Sequence, residues 1–348
     1  MRPTLKILLL LLLTLPAAAM AQGAPRALDV PADAAWRHVR TGLILPPTVD
    51  GLTRTEIRDL GSDELDIVAS YEDRDEDEPV WVTVYLYETG VPDVPLWFDR
   101  ALTAIMERLD NGLIGTAAPA PTAFARPGAA NASGLRAAVD LFRPSAGTTA
   151  LAIAPLGPFQ LKIRISGPWL GHTALDARLT RFIAGLRWPA ETAPPAPAAV
   201  PIAPCPAPLQ LRNARRLRTE TEDALMGALM GVDLATDEAG NRPPPPVYCR
   251  EPGATTAHGV YRANAATDAY LIALNDAGIA YSVGEQLDLG ALTGEGRRGR
   301  RFALVLLDRE TTGVVANFNR LPPPEQALAV AQRSAPSILV SNHPPAGN

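Results

Sequence analysis

The sequence predicts an α+β protein: an antiparallel sheet with flanking helices, then a smaller β-rich α+β domain behind a Pro/Ala-rich linker. Three observations carry this. Runs of β-favouring residues recur on both sides of residue 200, and two apolar stripes at helical spacing interrupt them. Eight of the twenty residues from Pro189 to Pro208 are proline, which supplies the boundary. At roughly 100–200 residues per domain, a chain of 348 residues suits two.

The elements follow in chain order. Arg2 and Lys6 precede the unbroken apolar run Ile7 to Leu13, and Ala19-Met20-Ala21 ends it with small residues. A basic start, a short greasy middle and a small-residue end make a secretory signal. Residues 1–21 are therefore expected to be removed after Ala21, leaving a periplasmic or secreted chain. The apolar run is shorter than the about 20 residues that cross a bilayer, and no Cys follows the cut to carry a lipid. No membrane span is expected after cleavage.

Residues 22–189 form the first expected domain. Pro31 to Arg40 reads as a short helix ending near Gly42, and Leu52–Leu60, Asp66–Tyr71 and Val80–Tyr87 read as strands. In the last of these, Val80, Val82, Val84 and Leu86 fall on one face and Trp81, Thr83, Tyr85 and Tyr87 on the other. Phe98, Leu102, Ile105, Met106 and Leu109 form a single stripe, which predicts a helix over 96–109 stopped by Asn111-Gly112. Leu135–Phe142, Thr149–Ile153 and Phe159–Ser166 read as strands. Ala174–Leu186 reads as a second helix with Leu175, Leu179, Phe182, Ile183 and Leu186 inward and Thr173 as its cap.

Residues 190–204 read as an extended spacer, since Pro lacks the N–H that ladders and helices use. Residues 205–340 form the second expected domain. Thr219 and Glu222 have capping-box spacing at the head of a helix over 219–230. Val247–Arg250 and Gly259–Arg262 read as strands. Tyr270–Val283 reads as a hairpin turning at Asn275-Asp276-Ala277-Gly278, or as a helix stopped by Gly278, and the hairpin is favoured. Phe302–Leu307 and Gly313–Phe318 make a further hairpin, a closing helix follows Pro322–Pro324 and ends near Arg333, and residues 341–348 read as a disordered tail.

Charge and cysteine usage narrow the function. Signal removal takes two of 32 basic residues and none of 37 acidic ones, which gives a net charge of −7. That balance argues against nucleic acid as a partner. Cys205 and Cys249 are the two cysteines, and an oxidising compartment favours a disulfide between them.

Glu72 to Glu78 is an acidic run in which Asp73, Asp75 and Asp77 alternate like the first ligands of a calcium loop. The sixth position holds Glu78 instead of Gly and the twelfth holds Val84 instead of Glu, so the run reads as a solvated turn. Gly294 to Gly299 matches G-x-G-x-x-G, but a strand follows it where a dinucleotide site needs a helix. Its neighbours Arg297, Arg298, Arg300 and Arg301 make a positive patch that suits an anionic partner. Trp81, Tyr85 and Tyr87 offer an aromatic face. No G-x-S-x-G, S-x-x-K or H-E-x-x-H occurs, and His38, His172, His258 and His343 are scattered. No catalytic residue, cofactor or metal site is assigned.

Val80–Tyr87 followed by a helix, then Leu161-Lys162-Ile163-Arg164 and a last helix ending in Leu186-Arg187-Trp188-Pro189, give residues 40–189 an order of elements that resembles the PsbP-like superfamily. That superfamily is named for extrinsic proteins of photosystem II; the order also resembles uncharacterised exported bacterial proteins. The resemblance implies a sheet between helices and a non-catalytic accessory or binding role, and no site residue transfers with it. The expected function is an exported, non-catalytic envelope accessory whose partner is an envelope protein or polymer. The alternatives are a periplasmic hydrolase with a site assembled from distant segments, or a small-ligand carrier.

Overall fold

The structure, a computed structural model, describes residues 25–61, 63–73, 79–110, 120–140, 148–191, 194–218, 245–286 and 299–343. The signal segment, the helix expected over 219–230, the Asn111-Gly112 stop, most of the acidic run, the residues Arg297 and Arg298 and the end of the tail lie outside them. Among the described residues the chain is mostly β-sheet with three α-helices.

The first sheet has nine strands: β1 (Arg26–Ala27), β4 (Thr48–Val49), β5 (Leu52–Asp59), β6 (Asp66–Glu72), β7 (Trp81–Glu88), β8 (Thr122–Phe124), β9 (Gly134–Asp140), β10 (Thr148–Leu156) and β11 (Phe159–Gly167). Their order is β1-β5-β6-β7-β11-β10-β9-β8, with β4 beside β5, and every pairing is antiparallel. A separate short pair joins β2 (Trp36–Arg37) to β3 (Ile44–Leu45). Helix α2 (His172–Gly185) lies against β9, β10 and β11 and buries Leu175, Leu179, Phe182 and Ile183 in one cluster with Val80 and with Val82, Val84 and Leu86 of β7. Both the alternation and the helical stripe thus bury the faces their spacing predicts.

The second sheet also has nine: β12 (Ala203–Pro204), β13 (Arg216–Leu217), β14 (Tyr248–Arg250), β15 (His258–Ala263), β16 (Tyr270–Leu274), β17 (Ile279–Glu285), β18 (Phe302–Leu307), β19 (Thr311–Phe318) and β20 (Leu339–Ser341). The order is β12-β14-β15-β16-β17-β18-β19-β13, with β20 also on β19, and only the β12–β14 pair is parallel. Residues 270–283 form the hairpin, with Asn275 and Gly278 at positive φ in its turn. Helix α3 (Pro324–Ala331) covers one face with Ala327 and Ala331.

Helix α1 (Val94–Asp110) lies between the sheets. Trp97, Phe98, Ala101, Leu102 and Ile105 share one apolar cluster with Leu135, Leu151 and Ile153 of the first sheet and with Tyr261, Leu271, Ala280, Val305 and Val314 of the second. Each large side chain there contributes roughly 1.5–3 kcal/mol of burial. At Gly90 the backbones of the two sheets' turns meet. A Cβ at that position would stand 2.5 Å from the carbonyl carbon and oxygen of Leu307, and the Gly90 amide donates to the carbonyl of Gly278 at 2.9 Å.

Two expectations are corrected, the helix at 31–40 and the cap at Thr173, and the proline-rich segment and the last described residues are then placed. Pro31–Arg40 is not a helix: the Arg54 guanidinium takes the carbonyls of Pro31, Ala34 and Leu45, and these long-range bonds hold the segment open. Helix α2 begins at His172 with Gly171 as its cap, so Thr173 lies inside the first turn. The proline-rich segment is extended, yet it packs: the Ala199 amide donates to Ala132, Ala199 is buried, and Ala203–Pro204 pairs with β14. A proline carbonyl still accepts, and only its donor is missing. Ser341 closes β20, and the Asn342 side chain donates to the carbonyl of Asp308 at 2.7 Å, so the described part of the tail is bonded.

Candidate functional site

The buried polar groups gather where the two sheets meet, on both flanks of α1. Asp93 caps the helix, its carboxylate accepting from the Leu96 amide at 2.7 Å, and burial raises its pKa to about 6 against that bond. Nearly two turns on, Asp99 accepts from Arg250 Nη1 at 2.6 Å and from the Tyr261 hydroxyl at 2.7 Å. Burial lifts the Asp99 carboxyl above its ordinary range, while Tyr261 and Arg250 oppose the rise. Burial also raises the Tyr261 hydroxyl, and the Asp99 charge adds to it.

Arg100 is fully buried and bonds residues 155 to 175 positions along the chain. Its Nε donates to the carbonyl of Asn275 at 2.7 Å, and its Nη2 donates to those of Thr255 at 2.7 Å and Thr256 at 2.8 Å. The Thr256 amide in turn donates to Glu107. One guanidinium thus reads the loop before β15 and the β16–β17 turn together. Its planar fork suits that task in a way an ammonium does not.

The second flank lies across β6, β7 and β11. Asp66, Tyr87 and Gln160 are cross-strand partners, so their side chains form one row on one face. Tyr85 and Lys162 form the next row. The Lys162 ammonium sits 4.4 Å from the Tyr85 ring centre and 5.3 Å from that of Tyr87, and pairs with Asp276 of the β16–β17 turn at 2.9 Å. Asp66 pairs with Arg309 of the β18–β19 turn at 2.6 Å. Glu88 lies 3.4 Å from His343, whose Nδ1 is 3.5 Å from Arg40. Burial raises the Glu88 carboxyl, and His343, Arg40 and Arg309 oppose that shift in that order. Within this row the Tyr87 hydroxyl and both amide atoms of Gln160 are buried without a hydrogen-bond partner.

Of the residues singled out from sequence, Trp81, Tyr85 and Tyr87 do share a face. Trp81 is 43 % exposed, Tyr85 is half-buried and Tyr87 is 3 % exposed beneath the second sheet's turn. Arg300 is exposed and grips Glu285 with both arms, at 2.8 and 2.5 Å, over the Phe302 ring. Arg301 is half-buried and its carbonyl accepts from the Gln286 amide at 2.9 Å. Cys205 and Cys249 form a disulfide that ties β14 to the residue after β12. The histidines stay apart: His38 is buried between Thr41 and the Glu64 carbonyl, burial lowers both His38 and His258, and His172 opens α2. Among the described residues no three of His, Cys, Asp and Glu form a group that holds a metal, and no helix is long and apolar enough to cross a membrane.

Sequence reasoning missed Arg100, Asp99, Gln160 and Lys162. A signal was present for two of them. Lys162 is one of two lysines in the chain and lies between Leu161 and Ile163 of a strand, and Arg100 follows Trp97-Phe98-Asp99 within the apolar first turns of a helix. Comparison with protein-family models, with curated proteins and with solved structures finds no match to this chain.

Proposed function

We propose that this chain is a non-catalytic accessory protein of the cell envelope that works by binding an envelope protein or polymer. The observation that carries the reading is the use made of the buried charged groups. Arg100 and Asp99 of α1 and Lys162 and Asp66 of the first sheet each bond a partner in the second sheet or its turns, so their chemistry holds the two layers together. An active site instead keeps perturbed titratable groups open to a substrate. The Cys205–Cys249 disulfide suits an oxidising compartment and so supports export after cleavage behind Ala21. In this reading, residues 22–189 and 205–340 are two domains joined through 190–204, and the first has the PsbP-like layout, which agrees with an accessory role. Pull-down of the tagged mature protein from an envelope extract tests it. A partner recovered at stoichiometric amount supports the proposal; turnover in a hydrolase panel with no partner recovered overturns it.

A further inference from the structure

Arginines gather without counter-charge at one end of the second sheet. The segment that leads into β13 crosses this end. The Ala214 amide donates to the Gln326 side chain of α3 at 2.8 Å, the Arg215 amide donates to the Asn319 side chain at 2.8 Å, and Arg216 is the cross-strand partner of Phe318. Arg320 follows Asn319 just beyond β19. The Arg216 guanidinium donates to Ser334 Oγ at 3.2 Å, which brings it beside Arg333 just past α3. Arg212, Arg215, Arg216, Arg320 and Arg333 are thus drawn from three parts of the chain, and all five are exposed. Apart from the bond to Ser334, their side chains make no ion pair or hydrogen bond among the described residues.

From Leu209 to Arg216 and from Asn319 to His343 the one acid is Glu325, against these five cations. The other described acids near this end, Glu285 and Asp268, act on Arg300, which grips Glu285 with both arms. Arg218 is not part of the patch, because Glu220, Glu222 and Asp223 follow it in the sequence. Like charges crowded together repel, and no bond within the described chain offsets that. Charge on an edge strand does discourage stray pairing. That accounts for arginine at 215 and 216 of the β13 segment, but not at 320 and 333, which lie off it.

We infer that Arg212, Arg215, Arg216, Arg320 and Arg333 form a docking surface for an anionic polysaccharide of the envelope. The inference deepens the accessory-binding reading and rests on it. A guanidinium fork takes an acid group with two parallel bonds, and a chain of acid groups meets several forks at once. None of the exposed large apolar side chains among the described residues, Val39, Trp81, Trp169, Val200, Val247 and Leu339, belongs to the patch. A protein interface would centre on such residues and a bilayer-docking surface would insert them, so charge alone points to a polymer. The acid surplus elsewhere does not prevent docking, since salt at about 0.15 M screens charges beyond about 8 Å.

The test is a binding titration of the whole mature protein with oligoalginate, a chain of uronic acids, beside neutral dextran and phosphatidylglycerol vesicles. Oligoalginate is expected to bind saturably and dextran not at all. Raising salt from about 50 to about 200 mM is expected to weaken binding roughly tenfold, as counterion release from a few contacts requires. Arg215→Gln/Arg320→Gln/Arg333→Gln is expected to weaken it about tenfold or more, with unchanged melting, since these side chains bond nothing in the described fold. The charge-matched Arg26→Gln/Arg58→Gln/Arg181→Gln, at exposed sites before residue 190, is expected to bind like the parent. No binding of oligoalginate, an equal loss in the charge-matched variant, or binding of vesicles alone overturns the inference. If oligoalginate fails while pull-down recovers an envelope protein, the patch is wrong and the accessory role stands.

Discussion

Replacing Arg100 by Met tests whether the two sheets are held by the bonds described. The substitution keeps most of the side-chain volume on α1 and removes three donated bonds, to Asn275, Thr255 and Thr256. A hydrogen bond to a charged group is worth about 1.5–3 kcal/mol, so three give a gross loss of roughly 4–9 kcal/mol. The buried guanidinium also carries a desolvation cost that its removal relieves, and Asp99 loses a neighbouring cation. The net expected loss is about 3–5 kcal/mol, the range seen when one partner of a buried charged network is deleted. Urea unfolding followed by far-UV dichroism and by the fluorescence of buried Trp97 measures it. Both probes are expected to shift to lower midpoint together, because Trp97 and Arg100 lie on the same helix between the sheets. A loss below about 1 kcal/mol would refute the argument that this residue clamps them.

Other outcomes follow from single contacts. Tyr87→Phe deletes a buried hydroxyl with no partner, so stability is expected to rise by up to about 1 kcal/mol; a fall of similar size in thermal unfolding would reveal a partner for the hydroxyl. Gly90→Ala drives a Cβ into the backbone of Leu307, where no side chain can yield, and is expected to cost about 1–3 kcal/mol and loosen hydrogen-exchange protection in β18. Reducing Cys205–Cys249 opens a loop of about 45 residues, and the chain-entropy model gives a loss of about 4 kcal/mol in the urea midpoint analysis. Asp93 has a folded pKa of about 6, above its unfolded value near 3.9, so the folded state holds the proton more tightly. Its contribution is therefore greatest below pH 4 and is lost as pH rises to about 6. Asp93→Asn keeps a capping oxygen and is expected to flatten that part of the stability–pH curve.

Sheet content was largely legible because the alternation in Val80–Tyr87 and the stripe through Leu175, Leu179 and Phe182 express burial against one partner each. The hairpin at 270–283 was only half legible, because Gly278, at positive φ just before β17, would equally have stopped a helix. Pro31–Arg40 was not, since its shape is set by Arg54 from a strand twenty residues on. The second burial of α1 was not legible either. A helix covered on two sides carries apolar residues beyond one stripe, as Leu96, Trp97 and Ala101 do here, but nothing local in them or in Arg100 names β15–β18 as the second cover. Trp81 and Tyr87 share a parity and so read alike in sequence, although one is exposed and the other lies under a turn some 190 residues away.

The distance along the chain between Arg100 and its acceptors also sets a timetable. Those carbonyls lie 155 to 175 residues downstream. At a synthesis rate of about 5–20 residues per second, the helix exists for roughly 8–35 s before its second neighbour can arrive. During that interval a greasy flank and a lone guanidinium are uncovered. A fragment ending before residue 255 would keep that flank bare and open to proteolysis.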